Sequence, residues 1–448
     1  MSLLEARDIQ GNILRGYRMP RVVHLFSQID QRLAPRIKEF LAELTPAVTP
    51  ADWGDNRPQT TLNVGISYAG LERLRPDLAA GFGERFPAYV AGMAGRAKLL
   101  GNAPGEHVLA FHHHHLWVSI HGTDPEPIAE RVRQLLELGS GLGFVAQTPW
   151  GQALEHDGHW YEHFGFRDDI SYPAIDGVPT PDRDVPGRGK LVDGSWGRIA
   201  PGEFVLGYPD ERGRNALDGL SPELASLLKN GTFGVFSRLH QDVPAFLDYV
   251  QSVARAYGTE PELVAAKMVG RTVSGDSLAC PGRMTDFTYE DDPTGAGCPL
   301  GAHVRRANPR TNGEHRLIRR GMPYGPQFVR GAPDARADRG LYFVVFNASI
   351  ENQYELVQKA WLNGPAGALR NARDPLVGSG SGARRMLIEG DAEAPRAPLL
   401  LLDVPDFVRS IGGEYYLLPG LSGLRVLSGR ERSSRVRAHA AFSNVSGD

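Results

Sequence analysis

Apolar and polar positions repeat along this chain with two different periods. Leu62, Val64, Ile66 and Tyr68 recur at every second residue, as do Leu116, Val118 and Ile120, which predicts two half-buried strands. Ile37, Leu41 and Leu44 fall at helical spacing instead. Further on, Phe233, Val235 and Phe236 predict a strand, and Phe246, Val250, Val253 and Tyr257 form a helical stripe that Gly258 closes. Thr259 and Glu262 have the spacing of a capping box, with Pro261 early in the helix that follows. The run from Leu341 to Phe346 is apolar on both alternating faces, the pattern of a strand covered on both sides. Ile350, Tyr354, Val357 and Trp361 then predict a helix ended by Asn363, Gly364 and Pro365.

Between these two sets lies a stretch from Ser171 to Gly202 that is rich in Pro and Gly and has no periodicity. It reads as a crossover at 171–202 between an N-terminal domain over 1–170 and a C-terminal domain over 203–448. Two domains also suit 448 residues, beyond the size at which one core stops growing. There is no regular βαβ rhythm and no Gly-rich phosphate loop, so the expected class is α+β with antiparallel sheets.

Composition narrows the partners more than the fold. Hydrophobic residues at 41% and charged residues at 23% are ordinary globular usage. A formal net charge of -3 offers no general attraction for nucleic acid or an anionic membrane, which leaves a small molecule as the expected partner. Glu5, Arg7 and Asp8 interrupt the start of the chain where an export signal would be apolar, and no apolar run approaches the roughly 20 residues of a membrane span. Cys280 and Cys298 make neither a disulfide framework nor a zinc site, so a cytoplasmic protein is expected, with a homodimer allowed.

The chemistry-bearing residues cluster in separated motifs. These are CPLGAHVRRANPR from Cys298, HFGFRDDISYP from His163, HRLIRRGMPYG from His315 and DIQGNILRGY from Asp8. To them are added MVGRTVSGDSL from Met268, the long segment from Arg339 to Pro365, and GGEYYLLPGLSGL from Gly412. In this order they resemble the dye-decolourising peroxidases, a haem peroxidase family, and most closely its longer members without an export signal. The resemblance implies two ferredoxin-like domains, with haem b held mainly by the C-terminal one. It also implies a reaction in which hydrogen peroxide is reduced to water while a small organic donor, a dye or phenolic, loses electrons one at a time. A haem-dependent peroxygenase or biosynthetic oxidase, and a haem-binding protein with little turnover, are the alternatives.

Residue by residue, the resemblance makes His303 the iron ligand, and Gly301 and Ala302 would let the backbone approach the porphyrin. A ligating histidine usually gives its other N–H to an acceptor, and Asp406 is expected there from its distance to Pro419. Asp168 matches the family's acid, suited to move a proton between the two oxygens of peroxide. Arg319 matches its arginine, which would stabilise charge on the departing oxygen. Arg320 is expected to contact a propionate or lie solvated, and Leu341 and Phe343 to wall the pocket. The competing readings are a capping or buried histidine at 303, an ordinary salt bridge for Asp168 and Arg319, a surface acid at Asp406, and sheet core for Leu341 and Phe343.

Three features lie outside the motif. Position 169, glycine in the family, is Asp169 here, and a second carboxylate beside Asp168 could perturb its pKa, narrow the peroxide channel or bind a cation. The run His112 to His115 would, as a continuous strand, put His113, His115 and His121 on one face with Trp117, where a polar strand face competes with a metal site. Trp361 is a core residue of its helical stripe or a relay for electrons from bulky donors.

Overall fold

In the computed structural model, the described residues are 4–54, 57–101, 111, 113–285, 287–308, 314–367, 369, 372–380, 384–390 and 398–430. Ten strands make the main sheet: β1 (Arg21–Ser27), β2 (Thr60–Ile66), β3 (Leu116–Gly122), β4 (Val145–Ala146), β5 (Gly151–Gln152), β6 (Thr232–Gln241), β7 (Ile318–Arg319), β8 (Met322–Tyr324), β9 (Gly340–Asn347) and β10 (Val408–Leu418). The fold is α+β, two ferredoxin-like units with antiparallel pairing throughout the main sheet. In the first unit β3 lies between β1 and β2, with Thr61 opposite His121 and Val22 opposite the same residue from the other side. In the second, β6 lies between β9 and β10, with a register shift between Arg238 and Leu239.

The two units close on each other at their edges. Leu417 of β10 pairs with Ile66 of β2, and Tyr324 of β8 pairs with Gly151 of β5, so the strands form a ring with no free edge at either junction. Gly151 is needed there: a Cβ on it would sit 2.5 Å from Cγ1 of Val22. Large aromatic side chains fill the inside, with Phe236 packed 5.0 Å from Phe26 and 5.6 Å from Trp117 between ring centroids. Outside, the helix Ala34–Leu44 buries Ile37, Phe40, Leu41 and Leu44 against the N-terminal strands, the face its spacing predicts.

The predicted strands and helices form at the expected places, with three departures. The strand carrying Leu62 and Val64 stops at Ile66, because the Ser67 hydroxyl accepts from the Gly70 N–H and caps a helix that begins at Tyr68. The capping box does not form, since the helix Pro261–Val269 has Glu260 at its N-cap while the Thr259 N–H is spent on the Ala254 carbonyl of the preceding helix. The stripe of Ile350, Tyr354, Val357 and Trp361 is helical, but Ile350–Glu355 and Val357–Leu362 wind with wider π-type turns. Among the described residues no helix is long and apolar enough to cross a membrane.

Candidate active site

The C-terminal strands, the π-type helix and the segment 162–173 enclose a cavity of about 1010 Å³. His303, Asp168, Arg319, Leu341, Phe343 and Asp406 all border it. Leu341 and Phe343 alternate along β9 and are half-buried, whereas their neighbours Tyr342 and Val344 are buried within the sheet. Period two therefore turns these two side chains to the cavity and the others into the ring of strands.

His303 opens the short helix His303–Ala307. Its Nδ1 lies 2.9 Å from Oδ2 of Asp374, a carboxylate with no solvent exposure. Oδ1 of Asp374 accepts from the N–H groups of Leu376 and Val377, so both oxygens are committed and the imidazole is held in one orientation. Burial alone would lower the His303 pKa, but the charge and hydrogen bond of Asp374 reverse this and raise it. Burial likewise opposes ionisation of Asp374, and the imidazole and the two N–H donors bring its pKa below the ordinary carboxylate value.

The expected partner, Asp406, does not touch His303. Its side chain is largely exposed and hydrogen-bonds the Arg384 guanidinium at the cavity's border. Reading Asp406 from its spacing to Pro419 failed because the real acceptor comes from the loop after the π-type helix, 71 residues beyond His303. The local signal for Asp374 was present but common: an Asp followed by Pro, with a side chain that caps the next two N–H groups.

Asp168 and Arg319 meet, Nη1 to Oδ1 at 2.8 Å. Arg319 sits on β7, and the Asp168 N–H is tied to the Trp160 carbonyl. The Asp168 charge raises the Arg319 pKa further, so the guanidinium stays charged. Glu162 borders the same cavity and was not singled out in the sequence, although it directly precedes the His163 motif. It accepts from the N–H groups of Phe164 and Phe166 and from Gln241, yet burial still pushes its pKa up to about 7.

Arg320 departs from expectation. Being adjacent to Arg319 on an extended segment it points the other way, and it borders a separate small pocket rather than the large cavity. Asp169 is buried, accepts from Nε of Arg167, and lies 3.6 Å from Nδ1 of His159. It borders neither space, so it does not narrow the cavity. The turn needs no left-handed residue at 169, because Gly165 supplies it with φ +94°.

The histidine run does not assemble a metal site: among the described residues there is no cluster of three or more metal-ligating groups, and His112 lies outside the described residues. His115 is buried, and its Nδ1 accepts from the Ile29 N–H at 2.7 Å, the role of a core histidine. Trp361 is half-buried, borders the cavity and packs edge-on to His315 with centroids 6.0 Å apart.

One imidazole with its second nitrogen anchored, apolar walls and an arginine–carboxylate pair around a single large cavity are the parts of a haem peroxidase site. The residues fit the cofactor: the space exceeds what a small substrate requires, and Nε2 of His303 is left for the iron. Residues 270–379 match the family model for the C-terminal part of Dyp-type peroxidases. Peroxidase 2 of Mycetinis scorodonius is 30% identical, over 94% of this chain and 87% of its own. The multifunctional dye peroxidase DyP2 of an Amycolatopsis strain is 30% identical over 67% of this chain and 68% of its own. Among solved structures, a dye-decolorizing peroxidase in complex with 2,6-dimethoxyphenol superposes with a TM-score of 0.77 at 25% identity, covering 95% of this chain and 100% of that one.

The chain belongs to the dye-decolourising peroxidase family. It is accordingly a haem-dependent peroxidase, with haem b as its cofactor.

Proposed function

We infer that the enzyme reduces hydrogen peroxide and oxidises phenolic and dye-like donors, with His303 as the iron ligand and Asp168 and Arg319 as the groups that act on peroxide. Support for the donor class comes from the related peroxidase that holds 2,6-dimethoxyphenol. The observation that carries the assignment of residues is that one cavity is bordered both by an imidazole anchored on a fully buried Asp374 and by the Asp168–Arg319 pair.

His303 would hold the haem, which would supply the two-electron chemistry toward peroxide and the one-electron chemistry toward donors. The chain's own groups prepare that step. Asp374 keeps the His303 proton on Nδ1, so Nε2 presents its lone pair to the metal. The Asp168 carboxylate would accept a proton from one oxygen of hydrogen peroxide and hand it to the other, which could then depart as water. Arg319 holds Asp168 in place and stabilises negative charge on the outer oxygen as the bond breaks. Leu341 and Phe343 keep bulk water from that space.

Rapid mixing of the haem-loaded protein with peroxide tests this reading. The wild type should change its visible spectrum within the mixing experiment at low peroxide, and Asp168→Ala and Arg319→Ala should each slow that change by orders of magnitude. Variants that react as fast as the wild type would remove both residues from the mechanism.

A further inference from the structure

On the other side of the Asp168–Arg319 pair lies a second, much smaller space of about 60 Å³. Asp168, Arg319 and Gly321 border both spaces, and Arg320, Tyr17, His121 and Tyr172 border only the small one. A water needs roughly 10–15 Å³ of such volume, so the pocket takes a few waters or one small ion and excludes any dye or phenol.

The electrostatics of this pocket are unbalanced. Arg320 donates from Nε to the Asn12 carbonyl at 2.9 Å, from Nη1 to the Arg319 carbonyl at 3.1 Å, and from Nη2 to the Ile13 carbonyl at 3.4 Å. Each terminal nitrogen keeps a further N–H. Its guanidinium also lies 5.5 Å from the centroid of the Tyr172 ring. No carboxylate is among its partners in the described residues, and burial pulls its pKa down to about 10, still well above neutrality. Arg320 is half-buried, so its charge is only partly solvated, and a partly desolvated cation gains from a counter-ion.

Asp168, the carboxylate that borders the pocket, is paired with Arg319, Arg18 adds a further cation, and the other neighbours add polar atoms without negative charge. His121 is 5% exposed, and its Nδ1 has no hydrogen-bond partner among the described residues. Burial and the Arg320 charge hold its pKa down to about 3, so the ring is neutral and can donate one N–H. The Tyr17 hydroxyl donates to Oδ1 of Asn63 at 3.1 Å, and burial pushes its pKa above the usual phenol value, so it supplies no charge either.

We propose that this pocket binds a small monoanion, of halide to formate size, between the Arg320 guanidinium and His121. The anion supplies the missing counter-charge one wall away from the peroxide-activating pair. Negative charge beside Asp168 disfavours its ionised form, so an anion seated here lowers the rate of reaction with peroxide.

Bromide is the probe. Crystals of the haem-loaded enzyme soaked in sodium bromide should give an anomalous peak in contact with the Arg320 guanidinium. In solution the thermal midpoint should rise saturably with bromide and not with gluconate at equal ionic strength, an anion too large for the pocket. His121→Phe and Arg320→Gln should each abolish the bromide-specific rise. Arg320 also ties down the segment at Asn12 and Ile13, so if Arg320→Gln fails to fold, His121→Phe decides. Bromide should slow the reaction of wild type with peroxide several-fold and that of His121→Phe not at all. Bromide peaks at the surface with none in the pocket, a pocket filled by a porphyrin propionate, or an equal thermal rise in wild type and variants would overturn the proposal. Binding in the pocket without slowing supports the site and counts against the role given to Asp168 instead.

Discussion

Replacing Asp374 by Asn tests the proximal side of the site with almost no change in shape. The amide oxygen can still accept from the N–H groups of Leu376 and Val377, which Oδ1 of Asp374 does at 2.9 Å each, so the loop keeps its cap. What changes is the atom that faces His303. An NH₂ donor replaces a carboxylate oxygen 2.9 Å from Nδ1, and it can be satisfied only if Nδ1 becomes an acceptor. That moves the ring proton to Nε2, the nitrogen meant for iron, and a protonated Nε2 cannot ligate. A hydrogen bond to a charged group contributes about 1.5–3 kcal/mol, so haem affinity should fall roughly 10- to 150-fold. Equilibrium titration of the haem-free protein with haem reads the affinity, and low-frequency Raman scattering reads the iron–histidine stretch, which should weaken in whatever haem remains bound. Asp406→Asn is the control, because that carboxylate engages Arg384 and not His303. If Asp374→Asn binds haem as tightly as the wild type, with an unchanged stretch, the argument from tautomer and charge is wrong.

Other outcomes follow from the same geometry. Asp168→Asn should lower the second-order rate with peroxide by about 10²–10⁴, and Arg319→Leu by about 10²–10³, in stopped-flow measurements at fixed pH. Glu162 has its pKa raised from 4.5 to about 7 by burial, so its contribution to stability is complete at acid pH and is lost as pH rises through 7. Glu162→Gln should therefore flatten the fall in thermal midpoint between about pH 4.5 and 7; an unchanged slope would show that Glu162 does not titrate there. Trp361 borders the cavity while half-exposed, so Trp361→Phe should slow oxidation of a bulky dye and leave that of a small phenol unchanged, as measured by kcat/KM for each donor.

How far the site was legible depends on whether its signal was local. His303, Asp168 and Arg319 stand in motifs that could be quoted, and the structure brings all three to one cavity. The strand at Leu341–Phe346 was legible as well, but not which of its faces borders the cavity, because apolar residues occupy both. Tyr68 kept a period of two one step past the end of its strand, since a capping serine ends the strand without breaking the pattern. Asp374 could not be told apart from other acids that precede a proline. Its meaning comes from an imidazole 71 residues away, and nothing along the chain separates a buried carboxylate from the many exposed ones.

Asp169 shows the opposite case, a local departure that tertiary structure turns away from the cavity. A carboxylate where the family has glycine reads along the chain as an obstruction in the peroxide path. Yet the side chains of Asp168 and Asp169, consecutive in a loop, go to different places. Asp168 goes to Arg319 and the cavity, and Asp169 goes to Arg167 and His159 in the protein interior. The glycine's conformational freedom is not needed, because the left-handed turn falls at Gly165. Arg319 and Arg320 repeat the same logic, one turned to the peroxide side and one to the small pocket. In both pairs a one-residue offset decides which side chain faces the large cavity and which faces away from it.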